Sequence, residues 1–135
     1  MTVLFLCRQN AGRSQMARAL FEQLAPDHTA LSAGSHPASR IHPVVVEAMR
    51  EAGIDLEGRA PQKVSEAMLR RADRVISMGC DDPAVCDHPG RNVEDWGIED
   101  PSGRPIEGVR RIRDLLRARV ERLALELQAP ARRSR

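Results

Sequence analysis

Thr2-Val3-Leu4-Phe5-Leu6-Cys7-Arg8-Gln9-Asn10-Ala11-Gly12-Arg13-Ser14 opens as an unbroken apolar run, breaks into a polar loop, and leads into a helical pattern. A short apolar run ended by a glycine-containing loop predicts a strand buried on both faces over Thr2 to Leu6. From Ser14 to Leu24 the apolar residues Met16, Ala17, Leu20, Phe21 and Leu24 recur at helical spacing, and Pro26 ends the pattern. Five residues separate Cys7 from Arg13. A loop of that length between a strand and a helix N-terminus can wrap a tetrahedral oxyanion and aim backbone N–H groups at it. Gly12 permits close approach, and Asn10 is among the few non-glycine residues that tolerate a left-handed backbone. Arg13 supplies a planar fork able to hold two anion oxygens. Ser14 can donate a hydrogen bond to a thiolate. The field that attracts an anion also favours the thiolate of Cys7, which places a nucleophile beneath the bound oxyanion. The candidate substrate-binding segment is therefore Arg8, Gln9, Asn10, Ala11, Gly12, Arg13 and Ser14, with Cys7 at its floor. The bland alternative is a buried cysteine before an ordinary turn. The order strand, Cys-x5-Arg-Ser, helix argues against it.

Working outward, the pattern alternates. A second strand is expected near Thr29 to Ala33, and a second helix from Pro43, a good first helical residue, to Gly53. A short helix covers roughly Ser65 to Arg71. Strands follow at Arg74 to Met78 and, more weakly, Arg91 to Asp95. In the last helix Ile106, Val109, Ile112, Leu116, Val120, Leu123 and Leu127 step by three and four, with arginine and glutamate on the other face. Strands alternating with helices predict an α/β fold: a three-layer sandwich with a four-stranded parallel sheet flanked by helices. Ligands in such folds sit at the carboxyl ends of strands. Cys7 and Cys80 each fall just after a predicted strand, so the two thiols can face one crevice.

The chain has 135 residues, 41% of them hydrophobic and 30% charged, as in an ordinary globular domain. We read residues 1–128 as a single domain and 129–135 as a solvated basic tail. That tail holds Arg132, Arg133 and Arg135 and no acid, which more than accounts for the net charge of +2. The body therefore lacks the basic surface of a nucleic-acid binder. With Phe5, Phe21 and Trp96 as the only aromatics besides histidine, base stacking is poorly supplied too. No apolar run approaches the ~20 residues of a membrane span. The N-terminus lacks a basic n-region, so no secretory signal is expected. Three cysteines, an odd count, argue for a reducing compartment, and a cytoplasmic location is expected.

Two further groups carry chemistry. Asp100 precedes Pro101, which pushes it to extended geometry where it can project as a general acid. Asp-Pro-Ser-Gly is equally good turn chemistry, but beside an anion cradle the acid role is the better reading. The segment Cys80-Asp81-Asp82-Pro83-Ala84-Val85-Cys86-Asp87-His88 holds the other two thiols. In one regular helix Cys80 and Cys86 would be ~9 Å apart along the axis. A disulfide, which needs Cα atoms within ~4.4–6.8 Å, would then require the segment to loop. The cysteines can also be inert. A zinc site with His88 fits no common spacing and lacks an evident fourth ligand, so no metal is expected. His28, His36 and His42 receive no role.

Together these residues resemble the arsenate reductases built on the low-molecular-weight protein tyrosine phosphatase fold. The match spans nearly the whole chain. It runs through Val3-Leu4-Phe5-Leu6-Cys7, Asn10-Ala11-Gly12-Arg13-Ser14-Gln15-Met16-Ala17, Ser32-Ala33-Gly34, Ser77-Met78-Gly79-Cys80, Glu94-Asp95-Trp96-Gly97, Asp100-Pro101, Ile112-Arg113-Asp114 and Arg119-Val120. The resemblance implies a monomer without a bound cofactor, acting on arsenate through a three-thiol relay. Cys7 attacks arsenic, Arg13 holds the oxygens and Asp100 protonates the leaving hydroxyl. Cys80 then attacks the Cys7 sulfur, and Cys86 displaces Cys7 to form a disulfide offered to thioredoxin. The chain also departs from the family. Thioredoxin-coupled relatives usually place six residues between the last two cysteines; here there are five. Met78 to Trp96 also resembles the branch that uses mycothiol and mycoredoxin. Some relatives bind potassium through a glutamate five residues after the cradle arginine; Arg18 stands there, so no such site is expected. The rival is a tyrosine phosphatase using Cys7, Arg13 and Asp100. Such enzymes typically carry tyrosines after the Asp-Pro, whereas Ser102-Gly103 stands here and the chain has no tyrosine. An oxyanion binder without catalysis would leave all three thiols unnecessary.

Overall fold

The structure, a computed structural model, describes residues 1–79 and 93–128. Strand β1 (Thr2–Cys7) is followed by α1 (Arg13–Leu24), β2 (Thr29–Gly34), α2 (Pro43–Glu51), α3 (Glu66–Arg71), β3 (Arg74–Ser77), β4 (Val93–Asp95) and α4 (Ile106–Gln128). The strands form one parallel sheet in the order β2-β1-β3-β4. This is the expected α/β architecture, with shifts of one or two residues at element ends. The second helix stops at Glu51, before Gly53, whose φ of +81° takes the chain out of the helix.

β1 is central, and its apolar run is explained by cover on both sides. Alternate side chains point to opposite faces. Val3, Phe5 and Cys7 enter the larger core with Met16, Leu20 and Phe21 of α1, Val45 and Met49 of α2, and Leu116 and Val120 of α4. Leu4 and Leu6 enter the smaller core with Leu69 of α3 and Val75. The layers are thus α1, α2 and α4, then the sheet, then α3. Phe5 packs edge-on against Phe21 at 5.7 Å and against Trp96 at 6.1 Å between ring centroids. The chain's few large aromatics are spent on this cluster, not on a binding surface.

The register sets the site. Cys7 pairs with Gly34, while Leu6 pairs with Ser77, which in turn pairs with Asp95. The strands therefore finish at one edge, where the loop after β1, the chain after β3 and the loop after β4 converge.

Candidate active site

Residues 8–12 form a loop whose carbonyls all face the scaffold. Arg8 O accepts from His36 N, Gln9 O from Ala38 N, and Ala11 O from His42 N. Asn10 O accepts from the Gln15 side chain, and Gly12 O takes the first helical bond, from Met16 N. In a trans peptide the N–H opposes the preceding C=O. With the carbonyls engaged outward, the N–H groups of Gln9, Asn10, Ala11, Gly12 and Arg13 are turned to the other side. That inner surface faces the N-terminus of α1, which has no acidic residue in its first turn and no capping side chain. An anion there meets both the amides and the positive end of the helix.

Asn10 holds the shape. It adopts φ = +50°, as its residue type allows, and is fully buried. Its side-chain amide donates to Ser14 Oγ at 2.7 Å, and its Oδ1 accepts from Gln62 N at 2.9 Å and Gln15 Nε2 at 3.1 Å. Ser14 Oγ lies 2.9 Å from Cys7 Sγ. Asn10 and Ser14 therefore stand behind the cradle, one supporting the loop and the other touching the sulfur. Gln15 and Gln62, to which sequence reasoning gave no role, tie the same residue to the rest of the fold.

The pocket inside is lined by Cys7, Gln9, Ala11, Gly12, Arg13, His42 and Asp100. Arg13 is 9% exposed, and its Nη1 donates to Ile98 O at 2.7 Å, which fixes the plane of the guanidinium. Its Nη2 lies 3.9 Å from Asp100 Oδ2, on a carboxylate whose side chain is 54% exposed. Asp100 Oδ1 accepts from Ser102 N at 2.9 Å. The turn expected of Asp-Pro is therefore present, and it sets the Asp100 carboxylate beside Arg13. Pro101 closes over the loop: a Cβ on Gly12 would lie 2.8 Å from Pro101 Cγ. Gly34 is required from below, where a Cβ would lie 2.6 Å from Arg8 O and 2.8 Å from both Asn10 N and Cys7 O.

Cys7, Arg13 and Asp100 are therefore brought together, while Arg8 is exposed and does not line the pocket. Cys80, Cys86 and His88 lie outside the described residues, as does the tail at 129–135. On the near side, a Cβ on Gly79 would lie 3.3 Å from Arg13 Nη1, so the chain leaving β3 passes the cradle arginine one residue before Cys80. No cluster of metal-ligating side chains occurs among the described residues. Nor is any helix among them long and apolar enough to cross a membrane.

Residues 2–133 match the family described as low molecular weight phosphotyrosine protein phosphatase. The chain belongs to that family. Its relatives in this phosphatase family include a putative arsenate reductase of Halobacterium salinarum, 43% identical over 122 residues that cover 86% of this chain and 85% of that protein. Among solved structures, a thioredoxin-dependent arsenate reductase of Corynebacterium glutamicum is 38% identical with a TM-score of 0.78, over 94% of this chain and 61% of that one. An arginine phosphatase from Geobacillus stearothermophilus is 30% identical with a TM-score of 0.85, over 95% and 93%. Proteins named as reductases and proteins named as phosphatases thus share this scaffold.

Proposed function

We propose that this chain reduces arsenate to arsenite through a cysteine relay. The observation that carries the reading is the buried Cys7 sulfur, in contact with Ser14 at the floor of an anion cradle, with the chain after β3 passing Arg13 at Gly79, the residue that precedes Cys80 in the sequence. The amides of residues 9–13 and Arg13 hold the arsenate oxygens. The Cys7 thiolate attacks arsenic, an As–O bond breaks, and Asp100 protonates the departing hydroxyl. Arsenic is still pentavalent in this adduct. Cys80 attacks the Cys7 sulfur; the S–S bond forms, the S–As bond breaks, and its electron pair stays on arsenic. Cys86 then attacks Cys80 and releases Cys7. The Cys80–Cys86 disulfide is reduced by thioredoxin, a partner supported by the named dependence of the Corynebacterium relative. The proposal includes a monomeric cytoplasmic enzyme with no resident cofactor.

The decisive measurement is arsenite release with thioredoxin as the only reductant, repeated with a mycothiol and mycoredoxin system. Cys80→Ser is expected to release no arsenite catalytically. Cys86→Ser is expected to stop after one equivalent, as a Cys7–Cys80 disulfide visible in trapped peptides by mass spectrometry. Full turnover by both variants would exclude the relay. Turnover with mycothiol alone would reassign the reductant. Rapid cleavage of aryl or arginine phosphates with no arsenate reduction would make the chain a hydrolase.

A further inference from the structure

We propose that His42 is a second proton donor to the oxyanion, an inference that rests on the arsenate-reducing reading. The need for one follows from balance. Two thiolates and HAsO4²⁻ give a disulfide, water and neutral As(OH)3 only if four protons are taken up. One protonates the hydroxyl that leaves when the Cys7–arsenic bond forms. Three more go to the arsenite oxygens when the second thiolate breaks that bond. A single carboxyl at Asp100 delivers one proton per loading. Besides the nucleophile Cys7 and the guanidinium of Arg13, the pocket lining contains one other side chain able to pass a proton, the imidazole of His42.

Its placement is specific. The His42 N–H donates to Ala11 O at 3.0 Å, which ties the residue to the cradle wall. Its ring Cδ2 lies 3.7 Å from the point a Cβ on Gly12 would occupy. The charged or titratable groups sharing the lining are Cys7 at the floor, Arg13 at the wall and Asp100 on the loop after β4; no acid or base of α2 itself lines it. Arg13 does not release its proton, so His42 and Asp100 are the two donors.

His42 also breaks a local rule. It is the N-cap of α2, with φ = −58° and ψ = 128°, and its side chain makes no capping bond. Asparagine, serine, threonine and aspartate are preferred there because they satisfy an exposed N–H of the first turn. The ring sits beside Gly12 instead, in a residue that lines the pocket, and such breaches of local preference concentrate at functional sites.

The test is kcat and KM for arsenite release across pH 6 to 8.5 in wild type and in His42→Asn, which supplies a good N-cap, with His42→Gln as a second variant. Positioned acids contribute ~10²–10⁴-fold to rate. The wild-type kcat is expected to exceed that of both variants by at least about tenfold at pH 6, the ratio shrinking toward one at pH 8.5. KM is expected to change little, and His42→Asn is expected to melt no lower than wild type. A ratio independent of pH would overturn the proposal in favour of a structural role. A rise in KM at unchanged kcat would overturn it in favour of a fixed charge for binding. If wild type itself releases no arsenite, the functional reading fails with it, an outcome separable from the other two.

Discussion

The cradle and the acid loop meet over the same pocket and are built in opposite ways. Asn10 and Ser14 are fully buried, and every carbonyl from Arg8 to Gly12 is engaged by a named partner. Asp100 is half exposed, held by one turn hydrogen bond to Ser102 N and by a 3.9 Å approach to Arg13. The difference fits the two tasks proposed for them. Stabilising developing charge depends on donors fixed before the reaction begins. Giving up a proton and reloading it needs access to water, which a buried carboxyl lacks. The contrast can be tested by injuring each region alone.

The largest effect is expected at the floor of the cradle. Cys7→Ser replaces the sulfur with a weak nucleophile that cannot form the disulfide, and arsenite release is expected to fall by at least about 10⁴-fold. On the loop, Asp100→Asn keeps the shape and the acceptor for Ser102 N but removes the proton. We expect kcat to fall about 10²-fold with KM nearly unchanged. Were KM to rise as much as kcat falls, Asp100 would belong to the binding apparatus and the division drawn here would be wrong.

A glycine pair sharpens the same comparison. A Cβ on Gly34 would sit 2.6–2.8 Å from three backbone atoms of the cradle, none of which can swing aside. Gly34→Ala should therefore move the loop itself, and misplacement of about 1 Å costs about 10²-fold in kcat/KM. Gly103, in the acid loop, has φ = +74° but open space around its Cβ position. Gly103→Ala should cost only backbone strain, about 1 kcal/mol by urea denaturation, with kcat/KM within about threefold of wild type. Equal catalytic losses in the two variants would show the acid loop to be as rigidly placed as the cradle.

The same contrast explains what the sequence disclosed. The cradle was legible because its contacts are local: Asn10 reaches Ser14 four residues on, and Cys7 reaches Ser14 seven on. The parallel sheet was legible because β1 carries an apolar residue at every position from Val3 to Leu6. Asp100 was half legible, since its turn is local but its approach to Arg13 spans the chain. His42 was not, because before Pro43 it reads as an ordinary helix entrance. Only the β1-to-α1 loop folding against it brings the residue to the pocket. Gly34 and Gln62 were missed for the same reason: their partners are cradle atoms distant in sequence.

The smallest expected effect lies away from both regions, where α2 is clamped to α4. Glu51 accepts from Arg110 Nε at 2.9 Å and Nη2 at 2.7 Å, and from Arg113 Nη1 at 3.2 Å. The Arg110 hydrogen bond is the main cause holding the Glu51 carboxyl below its ordinary value; desolvation opposes it, and the charge of Arg110 and then the hydrogen bond and charge of Arg113 assist. A carboxyl held low in the folded state adds stability above the unfolded value, near ~4.3, and loses it as pH falls through the folded value. Glu51→Gln should then melt lower than wild type at pH 7, by no more than about 3 °C because the pair is exposed, and the gap should close under acid. Turnover at neutral pH should be unchanged. A loss of turnover would carry more weight than the melting shift, because His42 is the N-cap of α2: it would mean that the outer clamp sets where that residue stands, and that the pocket is positioned from the far end of the helix as well as from the cradle.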